Sequence, residues 1–462
     1  MTYQGMSGQV YELEEKRIAG GGEGNIYNII GNSSLVAKVF REDKRDATRE
    51  EKLRCMVSEM ISKEQIKYIT WPLDVIYGRN GFVGYIMARA SNMQSLTSLY
   101  STEKYDLRYR VLAAVNMCIA VERIHGAGQI CGDLNPQNIL INLDKQDRES
   151  YFRVMLVDAD SYHYVSSAQK TYRCEVGLGD YIAPEIQKKL GGGMTLRNVP
   201  LPTYTQQTDL FALAVHIFCL LMNGCHPFAC AKDTNVFDSN IQQMKAGGGQ
   251  PSVALPQPVQ NIKDGFFPFY EKRPGIVPPI YAPDFSSLPP ELQKMFIRTF
   301  VDGYRNPDQR VSARQWVEVL QPMVTVRFRF SFGQCSNGHF YFIQSSVCPL
   351  CEIDNRIINF AQKKRMPEMS PQNKATVSEP AASNHVVNSG SNGNTGYTQP
   401  QWSGQNSYTP SHDNGPAPVV SDPTDQKNSK REKIGDCVIK ICTFICLLCV
   451  LYIIWIFVSM FL

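Results

Sequence analysis

The segment Leu35-Val36-Ala37-Lys38-Val39 places an ammonium in the middle of an apolar strand. A lone buried ammonium is costly, so Lys38 must be paired or must serve a ligand, and any fold of this chain has to bring an anion to it. Just upstream, Ile18-Ala19-Gly20-Gly21-Gly22-Glu23-Gly24-Asn25-Ile26 is a glycine-rich turn between two apolar flanks. Glycines at Gly20, Gly21, Gly22 and Gly24 let backbone N–H groups approach phosphate oxygens, although an ordinary hairpin has the same look. A carboxylate partner for Lys38 is expected on the helix that follows. Leu53, Met56, Val57 and Met60 mark its apolar face, Glu50 projects onto that face, and Glu51 points away. Solvation of both glutamates is the alternative. Phe82 to Met87 then reads as a buried strand leading to a hinge at Met87, Ala88 and Ala90.

A long helix closes at His125 and is followed by Ile130-Cys131-Gly132-Asp133-Leu134-Asn135-Pro136-Gln137-Asn138-Ile139-Leu140. An apolar strand, Val154 to Val157, ends in Asp158-Ala159-Asp160. Farther on come Gly177-Leu178-Gly179-Asp180-Tyr181-Ile182-Ala183-Pro184-Glu185, an apolar helix opening at Thr208-Asp209, and Asn306-Pro307-Asp308-Gln309-Arg310. In this order the motifs resemble the eukaryotic-type (Hanks-type) protein kinase superfamily, and bacterial membrane-associated Ser/Thr kinases in particular.

The resemblance covers about 300 residues and implies an α+β, two-lobed protein-kinase-like fold over residues 1–322. It implies ATP on the glycine-rich turn, with adenine at the hinge, Lys38 paired to Glu50, and Mg²⁺ on Asn138 and Asp158. Asp133 would accept or orient the substrate hydroxyl proton, Asp209 would anchor the catalytic-loop backbone, and Arg310 would pair with Glu185. Six positions depart from the family pattern, and two of them, Ala159 and Asp160, replace the usual Phe-Gly after the metal aspartate. Ala19 stands where the first glycine usually sits. Asn135 replaces the catalytic-loop lysine, Leu178 replaces the threonine that bridges that lysine and the aspartate, and Gly132 replaces the arginine answered by a phosphorylated activation loop.

Cys335, His339, Cys348 and Cys351 form C-x₃-H…C-x₂-C within residues 323–362, after an alternation (Val324, Val326, Phe328, Phe330, Phe332) that predicts a strand. Three thiolates and an imidazole satisfy structural Zn²⁺ and leave no open position; reduced cysteines beside an unrelated histidine are the other reading. Residues 363–433, rich in Ser, Asn, Gln, Pro, Thr and Gly, are expected to be a disordered linker. The last segment, 434–462, carries the uncharged apolar run Ile441–Leu462, long enough to cross a bilayer as a tail anchor. Lys427, Lys430, Arg431, Lys433 and Lys440 precede it and favour a cytosolic kinase domain; the overall resemblance implies a bacterial inner membrane, with a eukaryotic tail-anchored protein as the alternative.

With no apolar segment in Met1–Lys16 to act as a signal peptide, the folded part is expected in the cytosol. A formal net charge of +4 is too small to argue for nucleic-acid binding. The expected activity is a single-pass membrane-anchored Ser/Thr kinase acting on protein substrates. A nucleotide-binding pseudokinase scaffold is the second reading, and a small-molecule kinase of the same superfamily the third.

Overall fold

Strand alternation in the first 88 residues yields six strands: β1 (Thr2–Gly5), β2 (Val10–Gly20), β3 (Gly24–Ile29), β4 (Asn32–Phe40), β5 (Pro72–Gly78) and β6 (Gly81–Ala88). All pair antiparallel and close into a barrel in the order β1-β2-β3-β4-β6-β5. This computed structural model describes residues 1–100, 104–233 and 257–365. The period-two pleat divides β4 between two environments. Ala37 and Val39 join Leu13, Ile29, Ile76, Val83 and Ile86 inside the barrel, while Val36 and Phe40 belong to the main core on the other side. Lys38 shares the face of Val36 and Phe40, lies opposite Tyr85 of β6, and is 4% exposed.

The helix α1 (Ala47–Ser58) packs on that outer face. Asp46 caps it, its carboxylate accepting from the Arg49 N–H at 2.9 Å. Leu53 and Met56 are fully buried, but the helix stops at Ser58 and leaves Met60 half exposed. The buried face is therefore centred on Lys52, Leu53 and Met56.

The second lobe begins with the small sheet β7 (Met93–Ser95), β8 (Ile139–Asn142) and β9 (Val154–Leu156). Its core is built from α2 (Leu107–Gly126), α3 (Gln206–Leu221), α4 (Pro290–Ile297) and α5 (Ala313–Val324). The pairing Ile139↔Leu156 sets the residues just before β8 and just after β9 side by side, and Val157 N–H donates to Asn138 O at 3.0 Å. Asn138 and Asp158 are positioned by this register.

The strand predicted from Val324 to Phe332 is corrected. Val324 closes α5, whose buried face is Trp316, Leu320 and Met323, and Phe328–Ser331 is a single helical turn. Backbone groups need partners, and the helix satisfies those around Val324; Val326 and Phe330 are exposed. Pairing starts only at Phe332, where β10 (Phe332–Gln334) meets β11 (Phe340–Phe342), followed by α6 (Pro349–Arg365). Among the described residues no helix is long and apolar enough to cross a membrane. The run Ile441–Leu462 and the polar linker beyond residue 365 lie outside the described residues.

Two buried histidines brace the second lobe. His216 Nδ1 lies 2.7 Å from the Tyr100 hydroxyl and its Nε2 lies 3.0 Å from Leu134 O; His226 Nε2 lies 3.0 Å from Asp180 O. Burial pushes their pKa values down to about 3 and about 4. Both stay neutral while the unfolded chain takes up protons below pH ~6.5, so stability falls with decreasing pH by about 1 kcal/mol per unit for each histidine. Urea unfolding at pH 7 and pH 5 checks this, and His226→Gln should flatten the slope. An unchanged slope in that variant would contradict the assignment.

Candidate active site and metal centre

The glycine-rich turn joins β2 to β3. A Cβ on Gly21 or Gly22 would meet nothing within 4 Å, so the turn tip is open to a ligand. A Cβ on Gly24 would lie 2.6 Å from Val39 O, which makes that glycine a packing requirement. At the tip, the Glu23 carboxylate accepts from Arg49 of α1 at 3.0 and 3.2 Å, tying the turn to the helix.

Lys38 does not meet Glu50. Its Nζ donates to Asp158 Oδ1 at 3.0 Å and to both oxygens of Asp160 at 2.8 and 2.9 Å. Glu50 accepts from the Tyr77 hydroxyl at 3.0 Å and faces Arg54 at 3.8 Å, on the flank of α1 turned to β5. The cause is helical phase. With Lys52, Leu53 and Met56 inward, the site-facing positions of α1 are Arg49 and Lys52, and both are cations. Lys52 Nζ donates to Asp160 O at 2.5 Å and to Tyr162 O at 2.6 Å. Burial lowers its pKa to about 8. Burial alone would raise the Asp160 pKa, but Lys38 and the Tyr85 hydroxyl, 2.7 Å away, hold it below the usual carboxylate range. Burial raises that of Asp158, against the pull of Lys38. Asp160, Lys52 and Arg49 are site residues that the sequence did not single out. The available signal was a second aspartate in Asp-Ala-Asp and a lysine beside Leu53 on the apolar face.

Met87 is buried and paired with Val36, and Ala88 pairs with Leu35 at the end of β6. Ala90 follows in the connection to β7, so these three residues line the passage between the lobes.

In the loop before β8, Asn138 Nδ2 donates to Asp133 O at 2.9 Å and to Asp133 Oδ2 at 3.2 Å, leaving the Asn138 carbonyl oxygen for another partner. Burial raises the Asp133 pKa, while hydrogen bonds from the Asn135 side chain and the Leu178 N–H pull it back. Asp209 accepts from Cys131 N–H at 2.8 Å and Gly132 N–H at 2.9 Å, and its Oδ2 lies 2.9 Å from His125 Nε2. Arg310 and Glu185 form a two-pronged pair at 2.7 Å.

Gly132 has φ +77°, and a Cβ there would lie 2.9 Å from Cys174 Cβ. The segment it abuts is fastened by contacts to the second lobe and to α1. The Tyr204 hydroxyl donates to Val176 O at 2.9 Å, Arg173 to Val199 O at 2.8 Å, and Lys170 pairs with Glu51 of α1 at 2.6 Å. Gly132→Ala is expected to cost about 2 kcal/mol or more through the left-handed backbone and the clash. A shifted urea midpoint checks it; an unshifted one contradicts the packing described.

The Cys/His cluster assembles on the β10–β11 hairpin and the start of α6. Ligand atoms of Cys335, His339, Cys348 and Cys351 all lie within 4.8 Å of one another. Cys335 Sγ is 3.8 Å from Cys351 Sγ, and His339 Nδ1 is 3.7 and 3.5 Å from the sulfurs of Cys348 and Cys351. Zn–S bonds of about 2.3 Å at tetrahedral angles put sulfurs about 3.8 Å apart, so the donor set fits Zn²⁺. Asn337 Nδ2 donates to Cys351 Sγ at 3.3 Å and supports that thiolate. Phe332 and Phe342 stack at 5.5 Å within the main core, and Arg108 of α2 lies 3.4 Å from the centre of the Phe340 ring. The knuckle is therefore seated on the second lobe.

Two lobes around a cleft holding a lysine, paired aspartates and a looped aspartate–asparagine pair define a class. The protein kinase domain family matches residues 12–319, more than half of the chain, and the chain belongs to that family. Among curated proteins it is 25% identical over 352 residues to protein kinase YegI of Escherichia coli K12, covering 74% of this chain and 48% of that protein. It is also 25% identical over 228 residues to the serine/threonine-protein kinase ppk21 of Schizosaccharomyces pombe, covering 46% of this chain and 38% of that one. A probable serine/threonine-protein kinase 2 of Plasmodium falciparum is 25% identical over 235 residues, 50% of this chain and 41% of its own. The chain spans about half the length of the YegI proteins it matches.

Proposed function

We propose that this chain is an ATP- and Mg²⁺-dependent protein serine/threonine kinase. The observation that carries the reading is the convergence of Lys38 and Asp158, 3.0 Å apart, with the Asp133–Asn138 pair in one cleft. The oxygen donors fit Mg²⁺. Asn138 directs its amide nitrogen to Asp133 and keeps its oxygen, and Asp158 keeps 44% of its side chain exposed to the cleft. When bound, the metal would neutralise charge on the β- and γ-phosphates. Lys38 would hold the phosphates, and the open tip of the turn would cover them, with the Gly22 N–H as a donor; the Gly21 N–H closes the turn on Gly24 O at 2.9 Å. Asp133 would take the proton of the acceptor hydroxyl as its oxygen bonds the γ-phosphorus, while the bond to the β-phosphate oxygen breaks and ADP leaves.

The serine/threonine assignment draws on the named relatives and on the motifs. Structural Zn²⁺ on the knuckle completes the cofactor set. The apolar run Ile441–Leu462 would anchor the chain in a membrane, with the kinase domain and its protein substrates on the cytosolic side; overall resemblance favours a bacterial inner membrane. Mass spectrometry of acceptor proteins after incubation with ATP and Mg²⁺ should find phosphoserine and phosphothreonine. Nucleotide binding without either product would favour the scaffold reading. Alkaline carbonate should leave the full chain in the membrane pellet, and release into the supernatant would contradict the anchor.

A further inference from the structure

We propose that Asp160 is the positioning residue that orients Lys38 toward the nucleotide, in place of a glutamate on α1, and that Lys52 of α1 fastens the segment carrying it. The inference rests on the kinase reading of this cleft. Three observations support it. Asp160 takes the Lys38 ammonium on both carboxylate oxygens, and its side chain is almost fully buried. The Tyr85 hydroxyl, from the residue paired with Lys38 on the neighbouring strand, donates to the same carboxylate and fixes its plane. The Lys52 ammonium is spent on the carbonyls of Asp160 and Tyr162, so α1 grips the backbone on either side of Ser161. The charge arrangement is inverted relative to the resemblance: the helix supplies cations, and the anion comes from the Asp-Ala-Asp segment.

This arrangement has a functional consequence. Asp158 also touches Lys38, but it is the candidate metal ligand and would turn to the cation. Asp160 has no exposed path to the metal and would remain the counter-ion once nucleotide arrives. Because the two aspartates are separated by one residue, the lysine and the metal site are set by a single short segment.

The test uses the full chain in detergent, with equilibrium binding of a fluorescent ATP analogue plus Mg²⁺ and steady-state KM for ATP. Asp160→Asn should weaken nucleotide binding and raise KM for ATP by about tenfold or more, with a smaller change in kcat. Glu50→Gln should change neither by more than about twofold. In a Lys38→Met background, adding Asp160→Asn should cause no further loss, because the aspartate acts through the lysine. Wild-type affinity in Asp160→Asn, a tenfold effect in Glu50→Gln, or additive losses in the double variant would each overturn the proposal. If Asp160→Asn does not fold, Tyr85→Phe carries the test: it should raise KM several-fold at constant kcat, and an unchanged KM counts against the proposal. A wild-type chain that binds nucleotide but transfers nothing would sink the kinase reading, while the affinities would still decide the role of Asp160.

Discussion

Replacing Asp133 by asparagine lowers kcat by about a thousandfold and leaves the affinity for ATP close to wild type. The expectation follows from where the carboxylate sits. Asp133 is held by the Asn138 amide, and Lys38 is bonded elsewhere, to Asp158 and Asp160. An asparagine keeps the shape of that cradle but cannot accept a proton from an acceptor hydroxyl. The loss should therefore fall on the chemical step and spare nucleotide binding. Stopped incubations with saturating ATP measure it. A kcat within about tenfold of wild type would show that Asp133 does not serve as the proton acceptor.

The second large effect concerns the Cys/His knuckle. Cys351→Ser should abolish the binding of one zinc per chain and lower Tm by roughly 5–10 °C, corresponding to a few kcal/mol in a domain of this size. Cys351 sits closest to the other ligands, its sulfur lying 3.8 Å from Cys335 and 3.5 Å from His339, and it also accepts from Asn337. The cluster joins the hairpin to α6, and α6 returns to the second lobe, where Arg356 donates to Ala282 O at 2.7 Å. A metal held there would tie the stacked Phe332–Phe342 pair, which lies in the main core, to α6, and its loss would remove that tie. Metal analysis and thermal melts of wild type and variant measure both effects. Full zinc content in the variant, or an unchanged Tm, would contradict a structural centre.

The residues whose chemistry depends on short spacings were legible in the sequence. Asp133 and Asn138 lie five apart on one loop, and Asp158 ends a strand whose register with β8 brings it beside Asn138. The same holds for the two halves of the Cys/His cluster. The partner of Lys38 was not legible, because it is chosen over 122 residues of chain by how the lobes close. Helical periodicity ranked Glu50 by an apolar face that included Met60, yet the helix ends at Ser58 and its phase is set by the burial of Lys52, Leu53 and Met56. A small error in phase moved the glutamate from the cleft to the Tyr77 side. The predicted strand at Val324 failed for a related reason. Alternating apolar residues describe a strand only where a partner edge exists, and α5 had already taken the backbone of Val324 into its own ladder.

Asn135 and Leu178 illustrate a different limit. As residue types they suggest that one hydrogen-bonded set has been lost, and the fold shows that the Asp133 carboxylate keeps a hydrogen bond from the Asn138 amide. Neither Asn135 nor Leu178 supplies the positive charge of a lysine. In the proposed reaction, charge neutralisation at the transferred phosphate would therefore fall to Lys38 and to a metal held by Asn138 and Asp158.

The most direct test of phosphoryl transfer in this cleft is a single-turnover incubation of the full chain, in detergent, with γ-labelled ATP and Mg²⁺, beside Asp158→Ala and Lys38→Ala. Label transferred to protein or released as phosphate by the wild type, and by neither variant, is the predicted result. A wild type with no turnover whose melting temperature still rises with ATP, or turnover that survives in both variants, would contradict the account.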